Sequence, residues 1–251
     1  MFIKIFLFFS FFLTIASSAD SADKHSTKLV VGLIESERPP YFMTLPDSET
    51  LSGVYIDILS AISRNSTLAF EYKYLPQARI RSYMKNGRLD IEPGIHKSWR
   101  TEEHERENSV YSDIFMQSDE VLIFGNRKFN KIPSSDLLLN LRNCAMLGFK
   151  VLDEMENDMT RSAAKYRVST EIQVVRMLIL DRCDYSVIPT DVLRFIDPDL
   201  VKQIRQSPVI NTFDLRFRFH VSHKHLVPEF NSALEELRRD GTIEKIKNKY
   251  R

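Results

Sequence analysis

The chain has 251 residues, of which 43% are hydrophobic and 27% charged, the values of an ordinary soluble globular protein with a real core. A formal net charge of +1 excludes a general nucleic-acid binder, which needs a basic excess or a basic stripe. Residues 1–19 are of a different kind. Lys4 gives a positive start, Ile5 to Ile15 is nearly all Phe, Leu and Ile, and Ala16-Ser17-Ser18-Ala19 offers small residues for cleavage after Ala19. The apolar run is too short to span a bilayer comfortably, and the pattern predicts a secretory signal peptide. No cysteine lies at the cleavage site to carry a lipid anchor. The mature chain of about 230 residues suits one large domain or two small lobes. It is expected in the periplasm, starting near Asp20.

Lys28 to Ile34 (KLVVGLI) predicts a strand buried on both faces. Glu35 to Tyr41 (ESERPPY) is a loop, since its paired prolines forbid a helix, and Asp47 to Ser52 is a polar connection. Gly53 opens a helix whose apolar face carries Val54, Ile58, Ala61 and Ile62. Leu68 to Tyr74 alternates with a period of two and predicts a half-exposed strand. Pro76 starts a second helix, and Gly87 closes it as a left-handed cap. Leu89 to Ile91 is the next short strand, with Pro93-Gly94 expected to end it. The order β-α-β-α-β is that of a doubly wound α/β lobe.

Thr101 to Asn108 (TEEHEREN) predicts a solvated helical turn, Glu120 to Phe124 a strand, and Pro133 to Leu141 a short helix or turn. A second series follows. Cys144 to Leu147 reads as a strand, Leu152 to Ala164 as a helix, and Tyr166 to Val168 as a strand. Thr170 with Gln173 forms a capping-box pattern before the helix carrying Val175 and Leu178. Asp184 to Ile188 is a strand and Asp191 to Ile196 a short helix. Phe213 to Phe219 (FDLRFRF) alternates strictly, which places its arginines outward. Phe230, Ala233, Leu234 and Leu237 form a helical stripe. Asp240-Gly241 breaks it, and Ile243, Ile246 and Tyr250 begin another.

The stretch from Gly87 to Arg100 (GRLDIEPGIHKSWR) is a strand end opening into a loop, where a twisted α/β sheet offers a binding crevice. Arg100 presents a planar fork of donors that fits a carboxylate with two parallel bonds. The loop before Tyr41 leaves a strand's carboxyl end and is a second candidate for the crevice. Cys144 and Cys183 are the two cysteines, and in an exported protein they are expected to pair if their strands are parallel neighbours. His223-x-His225 puts two imidazoles on one side of an extended segment, but with no third ligand evident solvated histidines are expected rather than a metal site. Neither a cofactor nor a metal is expected. There is no G-x-S-x-G elbow, phosphate-binding glycine loop or H-E-x-x-H pair.

Five features in order resemble the type II periplasmic solute-binding proteins, in the polar amino acid-binding branch (family 3) that serves ABC importers. A leader precedes a strand and a Pro-Pro-Tyr-Phe loop. Gly53 to Ile62 (GVYIDILSAI) is similar to the family's G-x-x-I/V-D-I-x-x-A-I helix start. Gly87-Arg88-Leu89-Asp90-Ile91 followed by Arg100 is similar to its G-x-x-D-x…R loop. Asp181 to Tyr185 (DRCDY) is similar to its G-R-x-D-A turn, with Asp181 in place of glycine. Leu234 to Ile246 is similar to its closing helices.

The resemblance implies an α/β fold of two doubly wound lobes joined by a two-crossing hinge. Lobe 1 is expected over residues 28–118 and 218–251 and lobe 2 over 119–217, with crossings near residues 117–120 and 214–217. It implies a small carboxylated ligand, an amino acid or relative, held between the lobes. Arg100 would hold the carboxylate, though the loop from Asp90 is about two residues shorter than the family's usual one. Gly94 and His96 would contact the ligand, Arg38 and Tyr41 would line the first-lobe wall, and Phe149 and Asp191 would face them. Phe149 stands where the family has a hydroxyl residue, and Pro189 where it has the aspartate for an amino group. A monomer working with ABC permease subunits is expected, with no nucleic acid. The alternatives are a ligand-binding sensor component without transport and a cyclohexadienyl dehydratase-like enzyme on the same fold. For the latter, Glu92, His96 and Asp191 are the candidate acids. No catalytic residue is expected in the binding protein itself.

Overall fold

We describe the protein from a computed structural model. The structure describes residues 27–126, 131, 133–138, 140–149 and 166–251. The expected leader at 1–19 and the expected helix at 152–164 lie outside the described residues.

Strand β1 (Thr27–Ile34) pairs in parallel with β4 (Leu68–Leu75) over its full length and with β5 (Ile91–Ile95) at Val31. Two helices make the crossovers, α1 (Val54–Arg64) and α2 (Gln77–Lys85). In α1 the apolar spacing is realised as a buried face that includes Val54, Ile58, Leu59 and Ile62. Between β1 and α1 the connection is not plain loop, because β2 (Met43–Thr44) and β3 (Leu51–Ser52) pair as a small antiparallel ribbon. Gly53 has φ 126, and a Cβ there would lie 2.5 Å from the Tyr41 carbonyl, so the helix start and the Tyr41 loop are pressed together.

Pro93-Gly94 does not end β5. The strand runs through both residues, and its partner changes register between Arg216 and Arg218. Ile95 faces Arg216 while Glu92 faces Arg218, so two β5 residues oppose one. Proline is tolerated in a strand at such a bulge.

Beyond β5 come a 3-10 turn (Lys97–Trp99), α3 (Glu103–Glu107) and β6 (Ser109–Tyr111). The charge run at α3 is only partly solvated, since Glu105 is buried and takes two hydrogen bonds from Arg81 at 2.8 and 3.0 Å.

Two long strands join the halves. β7 (Met116–Gly125) pairs antiparallel with β11 (Ile204–His220), with Met116 facing Leu215 and Gln117 facing Asp214. At its other end β11 pairs with β5 and β6. On its far side β7 pairs with β10 (Tyr185–Pro189), so the sheet reads β10-β7-β11-β5-β1-β4 with β6 also on β11. The second half adds α4 (Ser135–Leu138), a parallel pair of β8 (Cys144–Met146) and β9 (Tyr166–Val168), α5 (Glu171–Ile179), α6 (Thr190–Leu193) and α7 (Pro198–Val201). The Thr170–Gln173 capping box is present at α5. Cys144 and Cys183 form a disulfide with Cα atoms 5.9 Å apart, where Asn143 and Tyr185 bridge in parallel.

The closing helices α8 (Val227–Arg239) and α9 (Thr242–Lys249) return to the first half. Tyr250 secures them. Its hydroxyl accepts from the Gly53 amide at 2.9 Å and donates to the Asp57 carboxylate at 2.7 Å.

One expectation fails in β11. Arg218 is 0% exposed, as are Phe217 and Phe219 on either side. The sheet is covered on both faces here, so alternation separates an apolar buried face from a charged buried one rather than inside from outside.

His223 and His225 lie in a 3-10 segment, not an extended one, and His223 Nε2 bonds Asp90 at 2.7 Å.

Candidate functional site

A cavity of about 580 Å³ opens where the two halves meet. From the first half it is lined by Arg38, Tyr41, Tyr55, Glu92, Gly94, Trp99 and Arg100. From the connecting strands and the second half come Ser118, Glu120, Leu122, Phe149, Val187, Pro189 and Phe213. Period-two geometry explains the floor. Ser118, Glu120 and Leu122 of β7 face this cavity, while Gln117 and Asp119 face a second, more polar cleft on the other side of the strand.

Of the residues expected from the sequence, Arg38, Tyr41, Gly94, Arg100 and Phe149 all line the cavity. His96 does not. It caps the 3-10 turn by accepting from the Ser98 amide, and its ring packs 5.1 Å from Phe213 and 6.0 Å from Trp99, behind the two aromatics that do line the cavity. Asp191 does not either. The helix that begins at Thr190, directly after Pro189, carries it to the second cleft beside Arg194, Lys247 and Arg251.

Arg100 is 6% exposed, and it is already engaged. Its Nε donates to Glu92 Oε2 at 3.2 Å, one terminal nitrogen forms a short ion pair with Glu92 Oε1, and the other donates to the Trp99 carbonyl at 3.0 Å. Glu92 also accepts from Arg218 at 2.8 Å and from Gln77 at 3.0 Å. Desolvation pushes the Glu92 carboxyl upward, but Arg100 and Arg218 outweigh it and hold the group at about 2. A guanidinium has five N–H donors, so Arg100 keeps donors beyond these three bonds for a guest. Glu105, bonded to Arg81, also lies 3.8 Å from Arg100 Nε, so three arginines share two carboxylates here with one positive charge in surplus.

Arg38 is engaged across the cleft. Its Nε donates to Glu171 Oε1 at 2.6 Å, and its guanidinium lies 4.8 Å from the centre of the Phe149 ring and 5.2 Å from that of Tyr41. Burial alone would lower the Arg38 pKa, but Glu171 and the nearby tyrosines raise it and keep the group charged. Tyr41 stacks on Tyr55 at 4.9 Å and shares a hydrogen bond with Ser118 at 3.1 Å. Gly94 is required at its place. Its φ is 70, and a Cβ there would fall 1.9 Å from the Tyr55 hydroxyl oxygen. Gly148 closes on Gln77 from the other side, with a virtual Cβ 2.8 Å from the Gln77 Cβ.

A sequence model of the bacterial extracellular solute-binding proteins, family 3, matches residues 29–251. The chain belongs to this family. Its members are exported binding proteins, and a two-lobed type II periplasmic binding fold agrees with the sheet described above. Solved structures agree on the fold. A mutant of ArgBP from T. maritima superposes with TM-score 0.74 at 15% identity, covering 89% of this chain and 94% of that one. A histidine kinase sensor domain similar to periplasmic binding proteins gives 0.75 at 18%, covering 91% and 97%. An ancestral amino acid-binding protein, a precursor of cyclohexadienyl dehydratase, gives 0.71 at 16%, covering 89% and 95%. No curated protein is similar enough in sequence to count as a match.

For a family 3 binding protein, the group that sequence reasoning missed is Glu120. It opens the apolar run EVLIF and reads as a strand-end charge, whereas the sheet register turns it into the cavity. Its position beside Pro189 in the β7–β10 ladder is the signal that only pairing reveals. Burial pushes the Glu120 carboxyl up to about 7, against a smaller opposing effect of Arg38.

Proposed function

We propose that this family 3 protein is a periplasmic binding protein that captures a small carboxylated solute, an amino acid or a relative, for an ABC importer. The observation that carries the reading is the cavity itself. It has the size of a small-molecule site, it takes residues from both halves, and Arg100 faces it with donors to spare. In this reading the lobes are residues 28–118 with 218–251 and residues 119–217, and they swing about β7 and β11. Only a guest that touches both walls favours closure, because an equilibrium shifts only by differential affinity. Arg38 and Tyr41 form one wall and Phe149 the other. Arg100 receives the carboxylate.

The enzyme alternative gains nothing from Glu92, His96 or Asp191. Glu92 is held ionised between two arginines, and the other two lie outside the cavity. The sensor alternative makes the same use of the cavity and differs only in what reads the closed form.

The test is a thermal-shift screen of the mature protein against amino acids and small organic acids, repeated with Arg100→Lys. Lysine keeps a charge beside Glu92 but loses the fork. The solute-induced rise in Tm is expected to vanish in the variant. An undiminished rise would remove Arg100 from the site.

A further inference from the structure

Among the described residues, four acidic or basic side chains line the cavity: Arg38, Glu92, Arg100 and Glu120. Three are committed to partners. Arg38 is held by Glu171, and Glu92 and Arg100 hold each other with help from Arg218. The fourth is not. The Glu120 carboxylate makes no hydrogen bond to any described residue. Glu120 is half-buried, and a carboxylate that faces a binding cavity without a described partner is placed to find one in the guest.

We propose that Glu120 is the subsite for a protonated amino group of the solute. This rests on the capture reading above and deepens it by naming the guest's second charge. The charge balance supports it. The Glu171 carboxylate offsets Arg38, whereas Arg81, Arg100 and Arg218 share two carboxylates, Glu92 and Glu105, and leave one positive charge unbalanced. Ionised Glu120 supplies one negative charge, also unbalanced. Among the described residues the cavity thus carries one of each, which suits a solute with one of each and disfavours a dianion. The aromatic faces of Tyr41 and Tyr55 in the same wall suit a cation as well.

The surroundings make the subsite sensitive to protons. The charged group acting on Glu120 is Arg38 from the Tyr41 loop, and the titratable tyrosines Tyr41 and Tyr55 line the same cavity. The neighbours on β10 are Val187 and Pro189, and those on β11 are Ile210 and Asn211, none of them ionisable. Asp119 points to the other face of β7 and takes a hydrogen bond from Thr212 at 2.6 Å. With its carboxyl titrating at about 7, empty Glu120 is mostly protonated at pH 6. An arriving ammonium holds the carboxylate in its charged form, and the proton leaves to solvent. Binding at pH 6 therefore releases about one proton, and at pH 8 only about a tenth of one.

The experiment uses the mature protein and a panel of the twenty common L-amino acids, each matched with the same acid lacking its amine. Thermal shift finds the binders, and calorimetry in buffers of different ionisation heat counts protons at pH 6 and pH 8. The expected result has three parts. The amine is required, Glu120→Gln weakens binding about a hundredfold with Glu120→Asp recovering part of it, and proton release is confined to the lower pH. If the amine-free acids bind as well as the amino acids, or if Glu120→Gln binds like the parent, the subsite is wrong and capture stands. No shift with any member of the panel overturns the subsite and the capture of a carboxylated solute together.

Discussion

Glu92 and Glu120 both line the cavity, Glu92 buried and Glu120 half-buried, and they sit at opposite ends of the carboxylate range. Glu92 lies near the start of β5 with two arginines and an amide around it, and its carboxyl is held at about 2. Glu120 lies on β7, Arg38 is the only described charged group acting on it, and its carboxyl is pushed up to about 7. Desolvation is the leading influence on each and acts in the same direction. What separates them is the number of partners, which reverses the outcome for Glu92 and only moderates it for Glu120. One carboxylate is thus part of the frame, and the other is available to a guest.

The comparison breaks most visibly when the frame is cut. Glu92→Gln leaves Arg100 and Arg218 facing each other with only Glu105, already bonded to Arg81, as a counter-charge, and Arg218 is 0% exposed. We expect a loss of about 3–5 kcal/mol in urea denaturation at pH 7, the cost typical of removing one member of a buried ion pair. A loss below about 1 kcal/mol would mean that the triad is not the buried frame described here. The sign of the pH dependence follows. Glu92 is lowered from its ordinary 4.5, so its contribution is fully present above pH 4.5 and is lost as pH falls through 2.

Glu120 behaves in reverse, and its removal sharpens the contrast. Its carboxyl is raised from 4.5 to about 7, so between those values the native state holds a proton that the unfolded chain has released. Its contribution to stability is greatest below pH 4.5 and falls as pH rises through 7. Glu120→Gln cannot ionise. The empty variant is expected to match the parent at pH 4 and to exceed it by roughly 1–2 kcal/mol at pH 8, read as a higher Tm. A variant less stable than the parent at pH 8 would show that the empty protein already satisfies this carboxylate.

The sequence made the frame's location legible but not its internal pairing. Signals that act within one element carried through: the helical stripe in α1, the period-two run in β4, the Gly87 turn and the Thr170–Gln173 box all depend on near neighbours in the chain. Arg100 and Arg38 were legible as cavity residues because both follow a strand's carboxyl end. Their partners were not, since Glu171 is 133 residues from Arg38 and Arg218 is 126 from Glu92. The strict alternation in β11 is that of a strand, yet Arg218 on its arginine face is fully buried because other elements cover it. Glu120 stayed hidden for a similar reason. Which face of β7 meets the cavity is set by pairing with β10 and β11, and a strand's own sequence does not contain its neighbours.

The smallest change tests whether partners act in proportion to their charge. Gln77 donates one neutral hydrogen bond to Glu92 at 3.0 Å and packs against Gly148 across the cleft. Gln77→Ala removes both contacts but leaves Arg100 and Arg218 in place. A neutral hydrogen bond contributes about 1 kcal/mol, and a bond to a charged group somewhat more, so a loss of about 1–2 kcal/mol is expected in urea denaturation. The Glu92 carboxyl should stay well below 4.5 in an infrared or NMR titration, because the two guanidiniums that hold it down remain. If it instead rises to the ordinary range, the amide matters as much as the arginines. The difference between the two carboxylates would then rest on hydrogen-bond count rather than on charge, and Glu120 would need only one donor from a guest, not a cation, to ionise.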